Sequence, residues 1–200
     1  MTVSKKTAVT IALVIIAAAV IAILVSSTMV TVPTGHTGVV VTFGHVEDYV
    51  LDEGVHFKLP WQTVTKMDNR AQKETLTFQA FSSDIQQVDV ICSVNFSVDR
   101  ETSQNLYRNV GVDYYGTVME PRVYESVKSV FARYSAENLV GKRNVLSDEV
   151  MSVLSPEMKQ YGIEIINISI EDIDFSDVFT NAVESKQVAE QSKLQAQIEQ

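Results

Sequence analysis

Gln87-Val88-Asp89-Val90-Ile91-Cys92-Ser93-Val94-Asn95-Phe96-Ser97-Val98-Asp99 is the longest run of alternating apolar and polar character in the chain. Successive side chains of a β-strand point to opposite faces, so this period predicts a long strand with Val88, Val90, Cys92, Val94, Phe96 and Val98 on one buried face. Shorter alternations lie upstream. After Pro33 and the Gly35-His36-Thr37-Gly38 turn, Val39, Val41 and Phe43 alternate with Val40 and Thr42 until Gly44 closes the run. Asp52-Glu53-Gly54 separates Tyr49-Val50-Leu51 from Val55, Phe57 and Leu59, which alternate with His56 and Lys58 up to Pro60. That pattern predicts a hairpin. Residues 74–81, with Leu76, Phe78 and Ala80 on one face, complete a first half that reads as antiparallel β.

Downstream of Glu101 the period changes. Met119, Val123, Val127, Val130, Phe131 and Tyr134 recur at spacings of three and four, the stripe of a helix laid on a core, with Pro121 in its first turn or bending it. Leu146, Val150, Val153, Leu154, Met158 and Tyr161 repeat the spacing, Pro156 is a candidate kink, and Gly162 is placed to cap the end. Residues 163–174 then read as a strand with Ile166, Ile168 and Ile170 on one face and Ile165 on the other. The fold class is therefore α+β. Residues 179–200 contain neither Gly nor Pro and are rich in Ala, Gln, Glu, Lys and Ser, the composition of a polar helix. Ala182, Ala189 and Ala196 stand seven apart and form one heptad column, so a coiled-coil seam competes with a solvated helix.

Upstream of the strands, Ala8–Val25 is interrupted only by Thr10 and preceded by Lys5 and Lys6. At about 1.5 Å per residue it spans roughly 27 Å, close to a hydrocarbon core of about 30 Å. Ile11, Leu13, Val14, Ile15, Ile16, Val20, Ile21, Ile23, Leu24 and Val25 are the expected anchor residues. A cleaved secretory signal is the competing reading, since Ser26, Ser27 and Thr28 are small, but the apolar run exceeds the usual signal core. Lysines before the span and an acidic body after it place the amino terminus in the cytoplasm and the body on the opposite side.

The chain has 200 residues and a net charge of −9, or −11 when Lys5 and Lys6 are set aside. Clustered cations that would neutralise phosphates are missing from this pattern, so nucleic acid is not an expected partner. Cys92 is the one cysteine, which excludes an intramolecular disulfide and, on its alternating face, reads as a buried structural thiol.

Several phrases resemble the SPFH family of stomatins, prohibitins and flotillins, the prohibitin and stomatin branches above all. Val32-Pro33-Thr34-Gly35-His36-Thr37-Gly38-Val39-Val40 is similar to the family's opening Pro and Gly turn followed by Gly-Val-Val, and Phe43-Gly44 to its Phe-Gly pair. Gly54-Val55-His56-Phe57-Lys58-Leu59-Pro60 resembles its Gly-hydrophobic-His-Phe-x-x-Pro segment. Gly141-Lys142-Arg143, Tyr161-Gly162-Ile163 and residues 184–191 follow in the family's order. The resemblance covers residues 30–200 and implies a transmembrane anchor (1–29), a β-rich membrane-proximal SPFH module (30–100), an α/β SPFH module (101–177) and the start of a coiled-coil-type helix (178–200). It implies a non-enzymatic scaffold that assembles with itself or other SPFH-type subunits into a ring or cage, organises a membrane microdomain and restrains an ATP-dependent membrane protease. The organelle expected is the bacterial inner membrane with a periplasmic body, or the mitochondrial inner membrane with its body in the intermembrane space. The alternative is an adaptor or protease regulator working as a monomer or small complex.

No reaction chemistry stands out beside these features. His36, His45 and His56 match no compact zinc spacing, and surface imidazoles explain them; Gly35 and Gly38 lack the spacing of a phosphate loop. No serine lies in Gly-x-Ser-x-Gly, and Asp172, Asp174 and Asp177 lack the glycine and terminal glutamate of a calcium loop. Catalytic residues, cofactors and metals are accordingly not expected. Val39, Val41, Phe43, Phe57 and Trp61 are the expected membrane-proximal residues. Trp61, the one tryptophan, suits a lipid interface because its ring is apolar and its N–H stays wet, while a core or subunit-interface position competes. If the alanine column is a seam, Ala189→Asp places a charge in it and reduces the mass of the assembly measured in mild detergent.

Overall fold

A computed structural model of the chain describes residues 10–11, 13–19, 28–175 and 177–198. Two compact units emerge: the residues up to Arg70 together with Val98–Val112, and Ala71–Ser97 together with those from Asp113 onward. Each is built around antiparallel strands, so the architecture is α+β. The division differs from one drawn at residue 100 by periodicity, because the long strands on either side of residue 85 pack with the helices that follow them.

In the first unit β1 (Met29–Val32) pairs with β4 (Gly54–Phe57), while β2 (His36–Thr42) lies between β3 (His45–Leu51) and β5 (Gln62–Asp68). The hairpin expected across Asp52-Glu53-Gly54 is therefore absent. A two-residue loop at Phe43-Gly44 closes β2 on β3, and the chain then passes through Gly54, at φ 127°, to join the other pair. Consecutive Val39 and Val40 are both buried, because a register shift between Val39 and Val41 breaks the strict alternation. Gly38 allows close packing here: a Cβ would stand 2.9 Å from Val64 Cγ1 and 3.0 Å from Val32 Cγ2.

The returning segment 98–112 is held by a polar knot. Asn69 Nδ2 donates to Val98 O at 3.0 Å and to Ser103 Oγ at 2.9 Å, and its Oδ1 accepts from Thr37 Oγ1. Ser103 Oγ donates to Asp99 O at 2.8 Å, at the start of helix α1 (Ser103–Asn109). Thr37 and Ser103 are fully buried, so these mutual bonds meet the desolvation cost that orphaned groups would incur.

In the second unit β7 (Gln87–Val98) is the central strand between β6 (Gln72–Phe81) and β8 (Ile163–Phe175). The β6–β7 ladder runs without a slip from Gln72 opposite Phe96 to Phe81 opposite Gln87. Val88, Val90, Cys92, Val94, Phe96 and Val98 are all buried, as the alternation predicts. A π-helical turn at Tyr115–Met119 leads directly into α2 (Glu120–Phe131), and Pro121, which has no N–H to give to the ladder, stands immediately after that irregular turn. Val123, Val127, Val130 and Phe131 of α2 join the core, as do Leu146, Val150, Leu154 and Met158 of α4 (Arg143–Lys159), which follows the short α3 (Ala136–Gly141). Burying each such side chain stabilises the fold by about 1.5–3 kcal/mol. Burial also pushes the Cys92 thiol up to about 11, with Glu171 adding to the rise, and an un-ionised thiol is a poor nucleophile.

The face assignment of β8 needs correction. Ile163 and Ile165 are buried, Ile166 is exposed, and Ile168, Ile170 and Ile173 are buried again. Steps of three residues from 165 to 168 and from 170 to 173 interrupt the two-residue period, so a single alternation cannot describe the strand. The last helix, α5, spans Asp177–Ile198.

The turn after β5 is fixed by charge. Asp68 accepts from Arg70 Nη2 at 2.6 Å, Nε at 2.9 Å and the backbone N at 3.0 Å, and the Arg70 side-chain bond holds the Asp68 carboxyl down at about 2. A depressed carboxylate pKa contributes stability above the unfolded value near 4, and that contribution is lost as pH falls toward 2. Acid unfolding of the chain between pH 4 and 2 should therefore be less steep in Asp68→Asn than in the parent, as read by circular dichroism.

Candidate functional site: an exposed aromatic tip

Along β4 and the loop after it, the usual burial rule is reversed. Val55 is 58% exposed and Phe57 79%, and Leu59 is exposed as well, while His56 and Lys58 between them are half-buried. Sequence alternation separates these same two faces without saying which of them is covered. His56, read as a surface imidazole, is half-buried, and its Nε2 lies 2.7 Å from Asp52 O in an exposed contact.

The β2–β3 loop adds a second apolar projection. Phe43 and Gly44 have φ of 48° and 86°, the positive values at both central positions that a two-residue hairpin loop of type I′ requires. Asn-Gly ordinarily meets that demand, because a bulky side chain in the left-handed region costs about 1–2 kcal/mol. Here Phe43 occupies the strained position and is 84% exposed. Its ring stacks on that of Trp61, with centroids 6.3 Å apart and planes within 3°.

Gln62 ties the two loops together. Its Nε2 donates to Thr42 Oγ1 at 3.1 Å, its Oε1 accepts from Leu59 N at 2.9 Å, and its carbonyl accepts from Lys58 Nζ at 2.9 Å. Lys58 N also donates to Thr28 O at 2.7 Å. The apolar side chains thus project from a hydrogen-bonded frame. Trp61 is half exposed, so the core position that competed for it is not the one adopted.

The remaining expected membrane-proximal residues separate from this tip. Val39 is buried in the first unit and Val41 half-buried, so both support the strand that carries Phe43. Of the expected anchor, Ile11, Leu13, Val14, Ile15 and Ile16 are helical and exposed, whereas Val20, Ile21, Ile23, Leu24 and Val25 lie outside the described residues. Among the described residues no helix is long and apolar enough to cross a membrane. Ala182 and Ala189 are exposed on α5, and the side chain of Ala196 lies outside the described set. Among the described residues no three His, Cys, Asp or Glu side chains are grouped to hold a metal. The contributions of Val55 and Leu59 were missed by periodicity; the adjoining Pro60-Trp61, an amphipathic aromatic at the end of an apolar strand, is the signal that points to them.

Residues 30–200 match the SPFH domain / Band 7 family, and the chain belongs to that family. It is 32% identical over 174 residues to Prohibitin 1 of Mus musculus, covering 86% of this chain and 64% of that protein. Identity to Prohibitin-2 of Schizosaccharomyces pombe is 30% over 174 residues, covering 86% and 60% respectively. Mitochondrial prohibitin complex protein 1 of Caenorhabditis elegans is 32% identical over 155 residues, covering 77% and 56%. The chain therefore spans less than two thirds of the length of these curated relatives.

Replacing Phe43 by Asn supplies the residue preferred at this turn and removes the exposed ring. Phe43→Asn should raise stability by about 1 kcal/mol in chemical denaturation, while lowering the fraction of chain recovered with lipid vesicles.

Proposed function

We propose that this prohibitin-like chain is a non-enzymatic membrane scaffold. The exposed aromatic tip carries the reading: Phe43, Phe57 and Trp61 lie in the lipid interface beside an anchor formed by residues 8–25. Apolar side chains held outward by a hydrogen-bonded frame cost free energy in water and gain it at a bilayer surface, where Trp is favoured. The amino terminus lies in the cytoplasm and the body on the opposite side, in the arrangement the flanking lysines favour.

Assembly with like subunits follows from the helix that begins at Asp177. Its Ala182 and Ala189 are exposed and a heptad apart, which supports a seam with α5 of a neighbouring SPFH-type subunit. Subunits zipped in this way and held at the lipid surface would enclose a membrane microdomain, and a membrane-bound ATP-dependent protease is the class of protein such an enclosure would restrain.

The full chain reconstituted in bilayers containing lipids with quenchers at known depths tests the interfacial placement through the fluorescence of its one tryptophan. Headgroup-level quenchers should dim Trp61, and Phe57→Ser should weaken the effect. Emission indifferent to quenchers at every depth places Trp61 in water and defeats the reading.

A further inference from the structure

Strand β6 is a long free edge of the second unit's sheet. Among the described residues Gln72–Phe81 pair with β7 alone and without a slip, so alternate N–H and C=O groups along the strand point away from the ladder. Such edges are ordinarily blunted by a bulge, a proline, an unpaired lysine or a covering element. Here these devices are missing. The strand has neither Gly nor Pro, residues 75–81 carry no charge, and Lys73 is tied to Glu171 across the sheet at 2.8 Å. Thr75, Thr77, Gln79 and Phe81 are exposed, whereas β8 at the opposite edge changes phase twice and packs against α4.

Both ends of this edge are fastened. At the first, Gln72 Nε2 donates to Tyr114 Oη at 3.1 Å. At the other the chain turns through residues 82–86, where Ile85, at φ 60°, is 80% exposed, Ser82 N donates to Gln86 O at 3.0 Å and Ser83 N to Tyr134 O at 2.8 Å. An edge already ordered loses little entropy when another strand joins it.

The helix side of the edge carries charge and aromatic rings together. Glu74 shares the face of Leu76, Phe78 and Ala80, and Phe78 meets Tyr124 of α2 edge to face, with centroids 4.8 Å apart. Tyr124 Oη donates to Glu120 Oε1 at 2.8 Å. The π-helical turn sets Glu120 above Tyr115, because Glu120 N donates to Tyr115 O. Burial pushes the Tyr115 hydroxyl up to about 12, and the carboxylates of Glu74 and Glu120 both add to the rise. Lys128 Nζ lies over the Phe78 and Tyr124 rings, 6.0 and 5.9 Å from their centroids, so this aromatic pair already attracts one cation. Other cations nearby are committed, Lys73 to Glu171 and Arg122 to Glu125 at 2.9 Å, and among the described residues neither Glu74 nor Glu120 forms an ion pair.

We infer that the β6 edge is a docking site for an extended segment of a partner protein, which joins the sheet as a further strand and directs a basic side chain at Glu74 and Glu120. Main-chain bonds to β6 supply affinity, and the alternate side chains that fall on the helix face supply the choice of partner. A basic residue opposite Glu74 gains two carboxylates and the neighbouring tyrosine rings, whereas an acidic one is repelled. A second copy of this chain is a poorer occupant, because its net charge of −9 would be brought against those same carboxylates. The site depends neither on the aromatic tip nor on the α5 seam.

The test uses the full chain in mild detergent and a fluorescein-labelled peptide, Thr-Val-Thr-Arg-Thr-Val-Thr, whose palindromic sequence lets it join β6 in either direction. Binding is read by fluorescence anisotropy. Two further peptides carry N-methyl groups, one on every Thr and the other on the Val and Arg residues. A strand joined through one edge uses only alternate N–H groups, so one methylated peptide should lose binding and the other keep it. Glu74→Gln combined with Glu120→Gln should weaken binding about tenfold with the melting temperature unchanged, and Glu74→Lys should transfer preference to the peptide with Glu in place of Arg. Equal effects of the two methylation patterns, or affinity indifferent to both glutamine substitutions, overturn the inference. So does a peptide that binds only by lowering the mass of the assembly in sedimentation, since the edge is then occupied by a second copy. No readout involves lipid, so failure of the interfacial placement of Trp61 leaves this outcome distinct.

Discussion

The uninterrupted ladder between β6 and β7 is the constraint on which the second unit depends. Ten paired positions from Gln72–Phe96 to Phe81–Gln87 hold Val88, Val90, Cys92, Val94 and Phe96 on one face. A slip of one residue would turn that whole set toward water, so the register is specified by the cost of exposing it. Helices α2 and α4 then bury their stripes as part of the same core. Cys92 lies in this core, where burial keeps its thiol protonated and therefore inert.

The first unit depends on a different kind of bond. Its strands are short, and the segment that completes it returns from beyond residue 97. Asn69 joins that segment to the sheet through Val98 and Ser103, with Thr37 beneath. A small unit with few apolar residues to bury gains little from area alone, and a satisfied polar network supplies the geometric specificity that a larger core would provide. On this frame the Phe43-Gly44 loop and the Phe57–Trp61 segment are held together by Gln62 and by the stacked rings. The outward aromatic groups are therefore positioned by the fold, not left to find their places on contact.

Phe43 and Ile85 illustrate how local rules fail at sites of contact. Each lies in the loop that joins two antiparallel strands, and each takes a backbone conformation that glycine or asparagine would adopt with less strain. Within their own units neither is repaid by burial. Such conflicts between local preference and tertiary placement are where interactions with other molecules are expected.

The sequence by itself determined the central strand, the two helical stripes and the buried thiol, because period and spacing follow directly from strand and helix geometry, and its phrases around Gly35, Phe43 and Gly54 carried the family resemblance. It also singled out Phe43, Phe57 and Trp61. Periodicity separates two faces of a strand without saying which one a neighbour covers. Only the tertiary structure decided that Val55, Phe57 and Leu59 face outward, that β4 pairs with β1 instead of β3, that β8 changes phase twice, and that residues 98–112 return to the first unit. Each of these turns on a partner distant in sequence, such as Asn69 for Ser103 or Val32 for Gly54, and non-local pairing leaves no local signature in the residues that make it.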